Sequence, residues 1–144
     1  MVHVQRTFTV DKQAAAVVDY LADFGNAEQW DPGTQTCTRI DDGPVEVGAT
    51  WRNVSKILGS TTELTYRLEE FTPSRIVFVG KNKTATSRDQ IQVTPTPSGS
   101  AEVRYDADVT MHGLAKLSAP LIKIAMERLA NGTQDGIKRA IDSL

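Results

Sequence analysis

The sequence predicts an α+β fold in which a curved, seven-stranded antiparallel sheet wraps around a long C-terminal helix, with two short helices after the first strand. Three observations carry this. Residues 2–10 alternate with the period of a strand and run straight into a helical pattern. Residues 34–112 hold six more runs rich in Thr, Val, Ile and Tyr, divided only by short turn signals. Residues 114–144 then carry apolar side chains at helical spacing.

In the first strand Val2, Val4, Phe8 and Val10 share one face and His3, Gln5, Thr7 and Thr9 the other. Arg6 interrupts the apolar face, so it is either an edge residue or an inward charge that needs a partner. Asp11 is positioned to cap a helix from Lys12 to about Phe24, with Ala14, Val17, Val18, Leu21 and Ala22 on its apolar side and Gly25 ending it. A short turn over Asn26–Trp30 follows, and Asp31-Pro32-Gly33 closes it, because proline turns the preceding residue away from helix.

Strands are expected near 34–41, 49–58, 61–71, 75–83, 86–94 and 101–112. Their short connections predict antiparallel neighbours. In the last of them Ala101, Val103, Tyr105, Ala107, Val109 and Met111 face a core, and Glu102, Arg104, Asp106, Asp108 and Thr110 face water. The C-terminal helix shows a stripe of Leu114, Leu117, Leu121, Ile122, Ala125, Leu129, Gly132, Gly136 and Ala140, with Pro120 a place to restart or kink. Gly132 and Gly136 remove bulk from one patch, which leaves either a close backbone crossing or open space beneath the helix. Seven strands around one helix enclose more volume than a single stripe fills, so an internal cavity is expected.

At 144 residues the chain has the size of one domain, and residues 1–144 are read as a single unit. The net charge of −2 offers no basic footprint for nucleic acid or an anionic membrane. Cys37 is the only cysteine, so no internal disulfide forms, and one Cys with two His does not furnish a structural zinc set. No run approaches the roughly 20 apolar residues of a membrane span. The first residues alternate like a strand and lack the pattern of a secretion signal, so the expected location is the cytoplasm. No phosphate loop, metal cluster or nucleophile elbow is found, and no cofactor or metal is expected.

Four segments carry a family resemblance. They are the run Val17–Phe24 leading to Trp30-Asp31-Pro32-Gly33, the strand start Val47-Gly48-Ala49-Thr50-Trp51-Arg52, the stretch Glu70–Phe78 with Pro73-Ser74-Arg75, and the final helix from Gly113-Leu114-Ala115-Lys116. Over essentially its whole length the chain resembles the START-related (SRPBCC) superfamily, in particular its polyketide cyclase/dehydrase and lipid-transport-like branch. The resemblance implies the helix-grip fold. It leaves function open, since members include lipid and hormone carriers, aromatase/cyclases, dehydratases and regulators.

The candidate site residues are those expected to point inward. Trp30 and Trp51 either line a pocket or fill the core. Tyr66 alternates with Leu64 and Leu68, and Tyr105 with Val103 and Ala107, so each buried phenol needs a hydroxyl partner, from a ligand or from the protein. Asp89 continues the buried face set by Ile91 and Val93, as does Ser87. The resembling family often carries an acidic residue near this point. On an apolar wall such a carboxyl could act as a general acid or base, or bind a ligand hydroxyl; the alternatives are a salt bridge to Arg6 or Arg128 and a strand end exposed at the cavity mouth. Asn53 and Ser55 share a face with Trp51, although the two faces of that strand differ little in hydrophobicity and a bulge would exchange them. Phe78, Leu121, Ala125 and Leu129 complete the expected lining. His3 and His112 fall on outward faces.

These residues support binding of a small, mostly apolar ligand of lipid, polyketide or aromatic type. A second reading is a metal-free cyclase or dehydratase using Asp89 and Tyr105 for acid/base chemistry. A third is a regulatory or interaction module with a filled core. The expected partner is the small molecule, without nucleic acid or integral membrane association, and a homodimer is left open.

Overall fold

The computed structural model describes residues Met1–Leu144. Its strands are β1 (Val2–Val10), β2 (Thr34–Arg39), β3 (Thr50–Ile57), β4 (Ser60–Phe71), β5 (Arg75–Lys81), β6 (Ala85–Pro95) and β7 (Ala101–Met111). They form one sheet in the order β1-β7-β6-β5-β4-β3-β2, and every neighbouring pair is antiparallel. Hairpins make each of these pairings except β1 with β7, which brings the two distant ends of the chain's β region together. The helices are α1 (Ala14–Ala22), the single turn α2 (Ala27–Trp30) and the long α3 (Ala119–Asp142).

Apolar periodicity explains most of this. In β1, Val2, Val4, Phe8 and Val10 are buried while His3, Gln5, Thr7 and Thr9 are exposed. Arg6 is half-buried and paired. Its guanidinium donates to the Glu127 carboxylate at 3.0 Å, to the Glu127 carbonyl at 3.1 Å and to Asn131 Oδ1 at 3.1 Å, tying β1 to α3. The expected cap at Asp11 does not form. Helix α1 begins at Ala14 after Gln13, and Asp11 instead binds the other end of the chain, its backbone N–H donating to Asp142. The cap lies at the far end of α1, where the Asp23 carboxylate accepts from Gly25 N–H and starts a 3-10 turn over Phe24–Asn26.

The stripe on the C-terminal helix needs correction. Residues Gly113–Ser118 form a 3-10 turn, and α3 begins only at Ala119, with Pro120 in its first turn. Three residues per turn breaks the register that an α-helical count carries back from Ala125. Leu114 and Leu117 are therefore exposed, at 87% and 82%; Leu121, already inside α3, is 59% exposed because it falls opposite the helix's buried line. The buried line of α3 runs through Met126, Ala130, Thr133, Ile137 and Ile141, flanked by Ala125 and Gly136. Ala125→Glu is expected to cost several kcal/mol, because an unpaired charge enters a buried site. Leu121→Glu is expected to stay within about 0.5 kcal/mol of the parent. Thermal unfolding of the two variants side by side checks the helix face.

The glycine pair resolves to a close crossing. A Cβ on Gly136 would collide with the carbonyl of Trp30, and one on Gly132 would sit 2.9 Å from Pro32 Cγ. The glycines let α3 press against the end of α2.

The core lies under the middle of the sheet. Phe24 projects from its 3-10 turn into an aromatic cluster, with ring centroids 4.5 Å from Phe78, 4.5 Å from Tyr66, 6.1 Å from Trp51 and 6.3 Å from Trp30. Edge-on and tilted contacts of this kind are the favoured aromatic geometries.

Candidate functional site

The sheet and α3 do not meet along their whole length. Beyond the aromatic cluster they enclose a cavity of about 370 Å³, within the range of small-molecule sites. Val4, Val109, Ile122, Met126 and Leu129 are among its apolar walls. It reaches the surface where the β3–β4 hairpin, with Leu58 58% exposed, meets Thr84 and Ser118.

One wall is polar. On β6, Ser87 and Asp89 alternate onto the buried face, and β7 sets Ala107 opposite Asp89 and Tyr105 opposite Ile91. The Asp89 carboxylate accepts from Tyr105 Oη at 2.9 Å and from Ser87 Oγ at 3.2 Å. Burial pushes the Asp89 carboxyl up to about 6; the hydrogen bonds from Tyr105 and Ser87 oppose this, and the charges of Asp31 and Asp108 add to it. Burial also raises the Tyr105 and Tyr66 phenols well above their ordinary range, reinforced in each by the Asp89 charge. Neither Arg6 nor Arg128 reaches Asp89, and Arg6 is committed to Glu127 instead.

Tyr66 owes its place to Gly80. The two are paired across β4 and β5, and a Cβ on Gly80 would stand 2.6 Å from the Tyr66 ring. The ring lies over the bare backbone and takes its place in the cavity wall. Gly80→Ala is expected to push the ring aside and cost about 1–3 kcal/mol, the usual range for overpacking. Denaturant unfolding, with near-UV circular dichroism for the tyrosine environment, measures it.

Four of the residues expected at the site line the cavity: Tyr66, Asp89, Tyr105 and Leu129. Trp30, Trp51 and Phe78 point inward but belong to the aromatic cluster beneath it, where Phe24 fills the space a ligand would need. Trp30 Nε1 is buried there without a hydrogen-bond partner. Strand β3 shows no bulge toward β4, so Trp51 and Asn53 face inward, but only Ser55 and Ile57 of that face reach the cavity. Asn53 is buried and used internally, donating to Thr34 Oγ1 at 3.0 Å and accepting from Ser55 Oγ at 2.5 Å. Ala125 is buried beside the cavity rather than in its wall, and Leu121 is on the surface, both because the helix face is rotated from the expected one. His3 bonds Asp108 on the outer face, and His112 bonds Thr86. Asp106, expected in water, is only 6% exposed, since Gln5 and Arg104 close over it.

Asp31 carries no sign of a site role in the sequence, because Asp31-Pro32-Gly33 reads as a turn. It is that turn, accepting from Gly33 N–H at 3.0 Å and Thr34 Oγ1 at 2.8 Å, and it also lines the cavity. Burial raises its pKa, with Thr34 and Gly33 opposing. The one signal pointing to it is the glycine pair of α3, which draws this turn inward.

No curated protein matches the chain by sequence. Solved structures do match in shape. A START superfamily protein from Mycobacterium smegmatis superposes with a TM-score of 0.80 at 14% identity, covering 98% of this chain and 97% of that one. The Zhui aromatase/cyclase from Streptomyces sp. R1128 gives 0.80 at 15% identity, covering 97% and 93%. A protein of Thermus thermophilus gives 0.81 at 10% identity, covering 96% of each chain. At these identities the likeness speaks for the helix-grip fold alone. The family described as polyketide cyclase/dehydrase and lipid transport matches residues 1–142, and the chain belongs to that family.

Proposed function

We propose that the protein binds a small, mostly apolar molecule whose polar group meets Asp89, Tyr66 and Tyr105. The observation that carries this reading is the cavity itself: about 370 Å³, mostly apolar, with hydrogen-bonding groups gathered on one wall. Apolar walls supply affinity at about 25 cal/mol per Å² buried, and a few fixed polar groups set orientation. The reading takes residues 1–144 as one functional unit and invokes neither nucleic acid nor a second copy. A cytoplasmic setting suits Cys37, which is buried with its thiol pushed up to about 12, chiefly by desolvation, and so kept as an unreactive thiol.

A second reading is favoured by one specific observation. Asp89 is a cavity carboxyl raised to about 6 and hydrogen-bonded to a phenol, which is the condition of a general acid or base working near neutral pH. Proton transfer by Asp89 with Tyr105 would suit a cyclisation or dehydration of a hydroxylated or poly-carbonyl substrate, in keeping with the aromatase/cyclase among the structural neighbours.

Native mass spectrometry of protein purified from its own host, with denaturing extraction of anything bound, tests the binding reading. A defined apolar molecule near one per chain is expected. Protein that stays empty, and takes up no apolar probe on titration, would overturn it.

A further inference from the structure

We infer that the cavity selects an apolar molecule bearing a protonated amine, with Asp89 and Asp31 as its counter-charges. This rests on the binding reading above and narrows it to a ligand class.

The lining carries two carboxylates, Asp31 and Asp89, and no lysine, arginine or histidine. The groups that act on the Asp89 carboxyl are Tyr105 and Ser87, which hydrogen-bond it, and the further acids Asp31 and Asp108; none is a cation. Those on Asp31 are Gly33 N–H and the Thr34 hydroxyl. The outer surface is different. There Asp41 meets Arg39 at 2.7 Å, Glu63 meets Arg52 at 2.7 Å, and Glu127 meets both Arg6 and Lys123. These outer carboxylates have cations beside them, whereas the two in the cavity have no counter-ion. Asp89 is buried and Asp31 half-buried, and a buried charge such as that of Asp89 is normally paired.

Unused hydrogen-bonding capacity points the same way. A carboxylate offers about four acceptor sites, and Asp89 fills two. Tyr66 is 7% exposed and lines the same cavity, its hydroxyl beside Ser87 and within reach of the Asp89 charge. An ammonium group brings three donors and one positive charge to these acceptors. The rest of the ligand would lie against Met126, Leu129 and Val109. A fatty acid would instead set a third carboxylate beside two, which is the arrangement low dielectric opposes most strongly.

Isothermal titration with three probes of one skeleton tests this at about pH 7.5, where an alkyl amine is protonated and an arylacetic acid ionised. The probes are 2-(naphthalen-2-yl)ethylamine, the corresponding alcohol, and 2-naphthylacetic acid. The amine is expected to bind about 10-fold or more tighter than the alcohol, the acid weakest, in line with measured coupling of close charge pairs. Asp89→Asn, which keeps the shape, is expected to weaken the amine by about 10-fold and to leave the alcohol within about 3-fold. Near pH 6 the amine should also release protons from Asp89, read as heats that change with the ionisation enthalpy of the buffer; the alcohol should not. If alcohol and acid bind as tightly as the amine, the charge selectivity is wrong and the cavity reading stands. If none of the three binds, both fail.

Discussion

Asp89→Asn is expected to stabilise the protein at about pH 8 by about 2 kcal/mol while weakening whatever the cavity does. The carboxyl is 6% exposed and raised from an ordinary 3.8 to about 6, chiefly by burial. A raised carboxyl favours the protonated form in the folded state. Its contribution to stability is therefore full below pH 3.8 and is lost as pH rises through about 6. Above that, the ionised group carries its desolvation cost, on the order of 3 kcal/mol for a rise from 3.8 to about 6. Asparagine removes the charge and can still accept from Tyr105 or Ser87, and about 1 kcal/mol is given back for the weaker hydrogen bonds. Denaturant melts at about pH 4 and about pH 8, on either side of the raised value, check it. The parent should lose stability between them relative to the variant, and at the acid end the variant should be the less stable by up to about 1 kcal/mol, the cost of its weaker hydrogen bonds. Equal stability at the alkaline end would mean that Asp89 is solvated.

Gly136→Ala is expected to destabilise the fold by about 3 kcal/mol or more, although alanine is the better helix former by about 1 kcal/mol. The added methyl would strike the carbonyl of Trp30, which is backbone and cannot rotate away. Either α3 lifts or α2 shifts. In a chain of this size the loss should lower the melting temperature by roughly 6–12 °C. Gly132→Ala is the control: its neighbour is the edge of the Pro32 ring, so a smaller loss is expected. The effect should reach the site as well, since Trp30 leads directly into Asp31 and Gly33 of the cavity wall. A melting temperature unchanged by Gly136→Ala would place the α2–α3 crossing elsewhere.

The fold is legible in the sequence because its signals are local and redundant. Period-two alternation locates β1, β6 and β7, and turn residues such as Asp42-Gly43-Pro44 and Thr72-Pro73-Ser74 divide the rest. Strand periodicity also orients Tyr66, Asp89 and Tyr105. It gives the face and not the depth along a strand. Trp51 and Phe78 share the inward face with cavity residues, but Phe24, arriving from a 3-10 turn with no periodic signature, occupies their end. Leu114 and Leu117 depart from their expected face because that face is counted through a 3-10 turn, and Leu121 because the buried line of α3 runs through Met126, Ala130 and Ile137 on its opposite side. Asp31 has the local signature of a turn residue, and its second role depends on a tertiary approach through Gly132 and Gly136 that no local pattern encodes.

A small molecule seated between the sheet and α3 must share that space with any side chain enlarged into it. Ala107 lies opposite Asp89 on β7 and lines the cavity, so Ala107→Phe places a ring inside it. Equilibrium binding of 2-(naphthalen-2-yl)ethanol to the parent and to this variant tests the location, with thermal unfolding to confirm that the variant folds. Saturable one-to-one binding by the parent, lost in a folded Ala107→Phe, is expected. Equal binding by the two would put the ligand somewhere other than this cavity and overturn its role as the binding site.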